Sequence, residues 1–504
     1  MTKKVVYKAY HQHQLTLLPY SLEELIPSGH PVRLVNSVID QIDISSIEKR
    51  YKAGGCSSFH PRMLLKVMIY SYLENVYSSR RMERLLHENV NYMWLSGNSK
   101  PDHNTINRFR AEKLKDSLET IFSKVVALMI EQGVVSLKQV FTDGTKIEAN
   151  ANRYTFVWGR SISKSRERIS NQLRELWTYT QQVARDEFNE PEPPDFEPTD
   201  PQKVKETIEQ IDQALRASDA ASSKMKQKVN YAKRNWPAKL KEYEQAEELL
   251  KGRNSMSKTD TDATFMRMKE DHMKNGQLKP GYNVQLSTSD QFIVCYSIHP
   301  QSNDYNTLPE HLKRFEAMHA CLPEDLIADA GYGSEENYAL LEKENITAYV
   351  KYPLFDRESR GKLKDFDSSS LHYNAALDCF YCPMGQPMSK ISEYEEKDTK
   401  KILSIYQAKN CHGCPLRGVC HKSQGNRTLK VSHRLLKYRN KARELLCSEN
   451  GQALRKKRCV DVEPTFGNIK QNKKFKRFNL RGRVKADIEI GLLAIAQNLK
   501  KMAA

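Results

Sequence analysis

The sequence predicts an α/β protein with a helical N-terminal domain, a mixed sheet as its core, a helical insertion and a cysteine-rich insertion. Helical periodicity fills residues 1–135, and short β-type runs alternate with helix patterns over 136–353. Residues 160–258 are rich in Lys, Arg, Glu and Gln, whereas 354–445 carry five of the ten cysteines. Residues 446–504 complete the core. Because 504 residues exceed one compact core, we expect several domains.

The N-terminal domain shows helix signals and a basic segment. Pro61 suits the first turn of a helix, and apolar residues follow it at spacings of three and four. The basic string SSRRMERLLHENV comes next, which favours either a helix-turn-helix-like DNA-binding unit or an ordinary helical bundle. A long helix, capped between Asp102 and Thr105, is predicted over PDHNTINRFRAEKLKDSLETIFSKVVALMIEQG. The apolar positions after Pro61 are Leu65, Met68, Ile69, Tyr72, Leu73 and Val76.

Five β-type runs form the predicted core. The first, QVFTD, is followed by a predicted glycine turn, and helix patterns separate the last three runs. Three antiparallel strands followed by alternating helices and parallel strands are typical of a ribonuclease-H-like domain, and this chain has that order. The later runs are GYNVQLSTSD (281–290), FIVCYSIHP (292–300), DLIAD (325–329) and ITAYVKYP (346–353).

The segment 160–258 is predicted to form a helical hairpin, or coiled-coil-like arm, inserted after the first strand. The Pro- and Glu-rich string NEPEPPDFEPTDPQ at 189–202 predicts the loop between its helices. A DNA-gripping arm and a solvated helical pair without further function both fit this pattern. Residues 484–502 predict a closing amphipathic helix. Its expected buried side is Val484, Ile488, Leu492, Ile495 and Leu499.

Three acidic residues, Asp143, Asp329 and Glu463, each lie in a distinctive string: VFTDGTKIEANAN, LIADAGYGSEENY and VDVEPTFGNIKQNKKFKRFNLRG. The two aspartates are expected at strand ends, and Glu463, just before Pro464, at a helix start. Carboxylates on converging rigid elements can hold two Mg²⁺ ions, which prefer oxygen ligands. Such a pair activates an attacking oxygen and stabilises a leaving one, so the trio predicts a phosphoryl-transfer site.

Other acidic residues are weaker candidates for this site. Glu148 is expected past the first strand and Asp304 in a loop, so both are interpreted as structural or supporting residues. The DGT string also occurs in phosphatases of the haloacid dehalogenase type, but Phe141 stands where their nucleophilic aspartate would be. Lys470 follows Glu463 by seven residues, a spacing that returns to the same helix face and favours a phosphate contact.

The charge balance indicates an anionic partner. The chain has 80 Lys and Arg against 62 acidic residues, a net charge of +18, and nucleic acid is the commonest such partner. Residues 451–485, around Glu463, hold twelve basic and two acidic residues, a net of +10. The candidates for phosphate contacts are Lys146, Lys470, Lys473, Lys474, Arg477 and Arg481.

The cysteine cluster predicts a structural Zn²⁺ site. Two C-x-x-C-P strings, Cys379 with Cys382 and Cys411 with Cys414, are typical of paired zinc knuckles, and four thiolates complete a tetrahedral site. Cys420 is spare or replaces Cys414, and His412 and His421 are weaker alternatives. Free thiols or a disulfide would also fit, although a disulfide is disfavoured in the cytosol. The scattered cysteines are interpreted as ordinary residues: Cys56, Cys295, Cys321, Cys447 and Cys459.

With these strings in view, the chain resembles the DDE transposases of bacterial insertion sequences. It looks most like the branch called the eleven-eighty-two family, related to the four and five families. The resemblance covers nearly the whole chain and is carried by long strings. They are IPSGHPVRLVNSVID, FHPRMLLKVMIYSYLENVYSSRRMERLL, WLSGNSKPDHNTINRFR, DGTKIEANANRYTFVWGRS, TDATFMRMKEDHMKNGQLKPGYNVQ, ADAGYGSEENY, VEPTFGNIKQNKKFKRFNLRG and the final AIAQNL.

The resemblance implies that Asp143, Asp329 and Glu463 bind two Mg²⁺ or Mn²⁺ ions. It also implies cleavage at the element's terminal inverted repeats and transfer of the freed 3′ ends to target DNA. Relatives carry a Tyr and an Arg before the Glu; here the Arg position is Cys459, with Arg458 adjacent, and no Tyr lies nearby. Lys470 fits the family's Lys seven residues after the Glu.

Partners and location follow from these expectations. A homodimer on DNA is expected because two element ends must be processed together. The chain has no run of about 18 apolar residues and no apolar leader, so we expect a cytoplasmic, nucleoid-associated protein without a membrane partner. The alternatives are a non-catalytic DNA-binding regulator derived from a transposase and a nuclease that cuts without strand transfer.

Overall fold

The computed structural model describes residues 21–51, 57–184, 200–218, 220–268, 276–363, 366–396 and 400–503. Cys56 and residues 189–199 of the predicted Pro-rich loop lie outside them. The chain divides into two compact units, residues 1–125 with 491–504, and residues 126–490. The described residues confirm the mixed α/β class that the sequence predicts.

The first unit is helical. Its helices are α1 (Pro31–Gln41), α2 (Ser45–Glu48), α3 (Pro61–Leu73), α4 (Ser79–Glu88), α5 (Val90–Leu95), α6 (His103–Arg108) and the start of α7 (Leu118–Glu131). A His-Pro pair opens both α1 and α3: the Nδ1 atoms of His30 and His60 accept hydrogen bonds from Val32 N and Arg62 N, each at 3.2 Å. The apolar positions predicted after Pro61 are all buried.

The long helix predicted from residue 101 is broken. Asp102 caps its start as expected, accepting a hydrogen bond from Thr105 N at 2.8 Å. A π-helical turn (Phe109–Lys113) follows α6, and the chain turns before α7 begins. Asp116 adopts a φ of 59°, a left-handed conformation that no continuous helix accommodates. The prediction of one helix was therefore wrong.

The second unit is built around a mixed sheet that we call the main sheet. Its strands are β1 (Gln139–Glu148), β4 (Thr264–Arg267), β5 (Leu278–Ser289), β6 (Phe292–His299), β7 (Asp325–Ala328) and β8 (Thr347–Val350). The spatial order is β6-β5-β1-β7-β8, with β4 pairing the first part of β5. The β6–β5 and β5–β1 pairs are antiparallel, whereas the β1–β7 and β7–β8 pairs are parallel. Helices α11 (Leu308–His319) and α12 (Glu335–Lys343) connect β6 to β7 and β7 to β8.

The helical insertion has three helices rather than the predicted two. They are α8 (Gly159–Val183), α9 (Pro201–Ala217) and α10 (Ser223–Leu250), which share a core that includes Trp177, Ile211 and Trp236. Two short strands, β2 (Phe156–Trp158) and β3 (Ser255–Ser257), pair antiparallel at the base of the insertion. The hairpin prediction failed because the segment expected to form one second helix is interrupted: α9 is followed by Ser218 in an extended conformation, and α10 begins at Ser223.

The cysteine-rich segment forms a second sheet. After the short α13 (Phe355–Glu358) come β9 (Tyr373–Asn374), β10 (Cys379–Tyr381), β11 (Pro387–Glu395), β12 (Ile402–Ala408) and β13 (Thr428–Val431), in the order β13-β12-β11-β10-β9. All its described pairs are antiparallel. We call this the cysteine-rich sheet.

Three helices close the chain: α14 (His433–Cys447), α15 (Glu449–Gly467) and α16 (Arg483–Met502). The predicted buried side of α16 is buried except for Val484, which is 51% exposed. Among the described helices, none has both the length and the apolar character that crossing a membrane requires.

Candidate active site

Asp143 and Asp329 lie side by side on neighbouring parallel strands. The register pairs Thr142 of β1 with Ala328 of β7, and each aspartate is the next residue. Neighbouring strands are about 4.8 Å apart, so the two aspartates are adjacent at the same end of the paired strands. Asp329 Oδ1 accepts a hydrogen bond from Gly331 N at 2.8 Å, and Asp143 Oδ1 accepts one from Gly144 N at 2.7 Å.

Gly144 is inside β1, so the predicted glycine turn after Asp143 does not exist. β1 continues to Glu148, paired with β5 throughout. A Cβ on Gly144 would stand 2.3 Å from Gln285 Nε2 and 2.6 Å from Asp304 Oδ1. The bare Cα is thus required for these two side chains to approach the strand beside Asp143.

Asp304 lies closer to the paired aspartates than the sequence suggested. It begins a short 3₁₀ helix (Asp304–Asn306), and its Oδ1 accepts hydrogen bonds from Asn283 Nδ2 at 2.7 Å and Gln285 Nε2 at 2.9 Å. Its Oδ2 is 3.3 Å from where a Cβ of Gly331 would lie. The structure therefore places a third carboxylate next to Asp143 and Asp329.

Glu148 has the structural role that the sequence favoured, although at the end of β1 rather than past it. Arg153 donates to both its carboxylate oxygens, at 2.9 and 3.0 Å. Lys279 and Arg477 also lie within 3.9 Å of this carboxylate. Glu148 is thus held by ion pairs at the end of β1.

Tyr332 is a fully buried residue beneath the aspartates that the sequence argument missed. Its hydroxyl donates to Gln285 Oε1. Burial raises the pKa of Tyr332 well above its ordinary value, and the negative charges of Asp304, Asp143 and Asp329 raise it further. The tyrosine therefore stays a neutral hydrogen-bond donor that fixes Gln285, the residue that holds Asp304.

Glu463 lies within α15, four residues before the helix ends, so the predicted helix start was wrong. Pro464 lacks the N–H that would bond the carbonyl of Val460. Gln291 Nε2 donates to that carbonyl at 2.9 Å, which lets the helix continue through the proline. Buried Asp461 anchors the same turn of α15, accepting from Thr288 Oγ1 at 2.6 Å and Gln291 N at 3.1 Å.

Arg458 connects Glu463 to the sheet. Its guanidinium lies 3.0 Å from Asp143 Oδ2 and 3.4 Å from Glu463 Oε1, and its side chain is only 12% exposed. It lies five residues before Glu463, next to the position at which the resembling family carries its Arg. Arg458 thus forms ion pairs with two of the three predicted carboxylates, and its single charge offsets one of their two negative charges.

A cleft of about 220 Å³ opens between β1 and α15. It is lined by Asp143, Thr145, Glu463, Phe466, Gly467, Lys470 and Gln471. Lys470 belongs to a π-helical turn (Asn468–Asn472) that follows α15 and is buried at 8% exposure. The predicted proximity of Lys470 to Glu463 therefore holds, but in a cleft wall rather than on an open helix face.

The other predicted phosphate contacts differ in accessibility. Lys474, Arg477 and Arg481 are exposed, Lys146 is half-buried in β1, and Lys473 is 2% exposed. Arg477 Nη2 and Arg481 Nε also donate to the carbonyls of Ala151 and Asn150, each at 3.1 Å. Lys473 is buried like Lys470, and the phosphate contact predicted for it stays a prediction.

The cysteines do not gather as the spacing predicts. One small cavity is lined by Cys382, Cys411, Cys414 and Cys420, whereas Cys379 is buried inside β10, opposite Ser389 and Asn374. Cys420 thus takes the place predicted for Cys379. Over the described residues, no three His, Cys, Asp or Glu side chains already form an arrangement that could hold a metal ion.

Two segments of the chain match family models. Residues 381–503 match the model described as Transposase DDE domain, and residues 20–112 match Transposase domain (DUF772). The first segment contains Glu463 and Lys470, whereas Asp143 and Asp329 lie outside both. The chain is thus similar to transposases over these two segments. The comparison with curated proteins and that with solved structures both gave no match.

Proposed function

We propose that this chain is a metal-dependent DNA transposase of the eleven-eighty-two branch, which cleaves DNA at the ends of an insertion sequence and joins the 3′ ends to target DNA. The support is the convergence of Asp143, Asp329 and Glu463 in a chain with two transposase matches. The strand order and directions of the main sheet further support a ribonuclease-H-like core.

The donor set fits hard divalent cations. Asp143, Asp329 and Glu463 offer only carboxylate oxygens, the ligands that Mg²⁺ and Mn²⁺ prefer. The guanidinium of Arg458 already places a positive charge between Asp143 and Glu463, and this supports a cation at this position. Two such ions, when bound, would activate the attacking oxygen and stabilise the leaving oxygen of a phosphodiester.

The chain's own residues contribute position and charge. β1 and β7 fix Asp143 and Asp329 on a rigid sheet, and Asp461 fixes the helix that carries Glu463. Arg458 would release at least one carboxylate when cations bind, and its guanidinium could then pair with a phosphate oxygen. Lys470, in the cleft wall beside Glu463, adds a second cation near the scissile group.

DNA is the proposed partner, both as terminal inverted repeats and as target. Exposed basic residues lie along the chain segment that follows Glu463, where they can neutralise backbone phosphates. A homodimer on DNA and a nucleoid location complete the proposal, because two ends must be cut together. The exposed basic residues are Lys474, Lys476, Arg477 and Arg481.

The observation that carries the proposal is the adjacency of Asp143 and Asp329 on paired strands, with Arg458 joining Asp143 to Glu463. The test uses the purified chain with Mg²⁺ or Mn²⁺ and labelled duplexes from the DNA flanking its gene. We expect cut ends and joined products. Asp143→Asn should lower cleavage by more than about 100-fold, since even outer-shell partners of metal ligands typically cost 10- to 100-fold.

The matched control is Asp356→Asn, which changes a surface aspartate paired with Lys351 and should leave cleavage unchanged. A mobility-shift assay should show that Asp143→Asn still binds DNA. Cutting without joined products would identify a nuclease instead. DNA binding with no metal-dependent cutting by the unaltered chain would identify a regulator, and either result overturns the proposal.

A further inference from the structure

We propose that the cysteine-rich sheet holds one structural Zn²⁺ ion through Cys382, Cys411, Cys414 and Cys420, and that Cys379 is not a ligand. These four cysteines line one cavity of about 20 Å³, although their side chains would have to turn towards one another to bind an ion. A cavity of that size has room for a single water-sized sphere, because a water needs at least about 10–15 Å³. Zn²⁺ in structural sites is bound by four ligands of this kind in a tetrahedron.

Two tight loops bring the cysteines together. The first joins β10 to β11: Cys382 N donates to Gln386 O at 2.8 Å, and Gly385 N donates to Cys382 O at 2.8 Å. The second lies between β12 and β13 and carries the other three cysteines. Gly385 and Gly413 adopt φ values of 75° and 71°, which glycine tolerates without strain. Each loop thus has a glycine where its chain turns around the cavity.

The sulfur atoms receive hydrogen bonds from the surrounding backbone. Gln386 N donates to Cys382 Sγ at 3.3 Å, and Arg427 N donates to Cys411 Sγ at 3.3 Å. Such donors orient metal ligands and stabilise negative charge on sulfur. Buried thiols that only packed in a core would not need N–H donors directed at them.

Arg427 supplies the independent argument for a charged site. It is only 6% exposed, and its Nη1 donates to Cys420 Sγ at 2.8 Å while Nη2 donates to Phe366 O at 2.7 Å. The two partners that the described structure gives the Arg427 side chain are Cys420 Sγ and Phe366 O, and neither is a carboxylate. A buried guanidinium needs a negative counter-charge. A tetrathiolate around Zn²⁺ carries two net negative charges and would provide it.

His421 is the rival fourth ligand. It lines the same cavity, its Nδ1 is 2.7 Å from Ser423 Oγ, and its buried Nε2 has no hydrogen-bond partner. Cys420 is the better fourth ligand beside Arg427, because a site with three thiolates and a neutral imidazole carries one negative charge fewer. His421 Nε2 would then donate to a metal-bound sulfur.

The test measures zinc in the full chain, purified under reducing conditions, by elemental mass spectrometry. We expect about one zinc ion per chain, as for a closed structural site. Cys382→Ser, Cys411→Ser, Cys414→Ser and Cys420→Ser should each retain zinc at least about 10-fold less well against a chelator. Cobalt substituted for zinc in the unaltered chain should give the absorption bands of a tetrahedral thiolate site.

Three control variants keep the assignment falsifiable. Cys379→Ala and His421→Asn should retain zinc as the unaltered chain does. Cys420→His, which keeps a possible ligand, should retain zinc with a shifted cobalt spectrum, which separates loss of a ligand from loss of the fold. Zinc lost from Cys379→Ala or His421→Asn but kept in Cys420→Ser would overturn the ligand set. An unaltered chain that takes up no zinc when reduced would overturn the site itself.

Discussion

The main sheet and the cysteine-rich sheet differ in how deeply their strands are buried. All eight residues of β6 are buried, and so is β5 from Pro280 onwards. In the cysteine-rich sheet, β11 is exposed at every position but Met388. Its buried cluster is small: Phe380, Met388, Tyr406, Ala408, Cys411 and Leu429. A sheet covered on both faces supports itself through burial, whereas one with so few buried side chains needs another source of stability.

The difference in burial between the two sheets matches the positions of the two proposed metal sites. The paired aspartates project from the strands with the deepest burial, because ligands that must stay fixed need rigid support. The four cysteines lie in loops outside the strands of their sheet. We infer that burial stabilises the main sheet and thereby fixes the paired aspartates. In the cysteine-rich sheet, by contrast, we infer that the bound zinc ion stabilises the fold.

The largest expected effect is therefore zinc removal, which tests that contrast directly. Structural zinc in small domains contributes about 10 kcal/mol or more of apparent folding free energy. After chelation, hydrogen exchange in peptides from β10 to β12 should rise to the rate of an unfolded chain. Peptides from β5 and β6 should keep their protection, because burial alone stabilises them.

Re-addition of zinc should restore protection in the cysteine-rich sheet and leave the main sheet unchanged. Loss of protection in both sheets together would show that they unfold as one unit. Unchanged protection in the cysteine-rich sheet would show that its six-residue cluster is sufficient without metal.

A smaller effect, confined to the main sheet, is expected from its buried histidine. The ring nitrogens of His311 lie 2.8 Å from Ser287 Oγ and 2.7 Å from Ser297 Oγ. Burial, followed by the charges of His299 and Arg314, lowers the pKa of His311 from 6.5 to about 3. Between these values the unfolded chain binds a proton that the folded chain does not, so stability falls as the pH falls. The loss from this one group should be about 2 kcal/mol between about pH 7 and pH 5.

Urea unfolding at a series of pH values, read by pulse hydrogen labelling of β5 and β6, measures this dependence. His311→Asn keeps a polar side chain but cannot titrate, so its stability should change less over the same interval. An equal pH dependence in the variant and the unaltered chain would assign the effect to other groups.

The sequence was sufficient for elements whose signals are local. The Asp102 cap, the buried face after Pro61 and the order of the core strands all follow from short patterns, and the described structure has them. The sequence was insufficient where a residue from another part of the chain decides the local conformation. Gly144 reads as a turn, but pairing with β5 keeps it in a strand, and Gln285 and Asp304 approach its Cα from elsewhere in the chain.

Glu463 and Cys379 show the same limit within the sites. Pro464 suggests a helix start, and the helix passes through it because Gln291, from the turn between β5 and β6, bonds the carbonyl that the proline leaves open. The C-x-x-C spacing favours Cys379, but β10 pairs on both sides at that residue, and the loop carrying Cys420 completes the cavity instead. In both cases, contacts with other segments of the chain, rather than local propensities, decided the position of the residue.

The smallest effect is expected on the open face of the cysteine-rich sheet. The register shifts between Lys390 and Ser392, so Ile391 is the extra residue of a β-bulge, and it is 55% exposed. A side chain that is unpaired and exposed contributes little, so Ile391→Ser should change stability by less than about 0.5 kcal/mol. The measurement is zinc-loaded urea unfolding read by exchange in β11 and β12. Met388→Ala, at a fully buried position three residues earlier, should cost about 2–5 kcal/mol. A large loss from Ile391→Ser would mean that this face is covered in solution, and the contrast between the two sheets would then lie in their partners rather than in their burial.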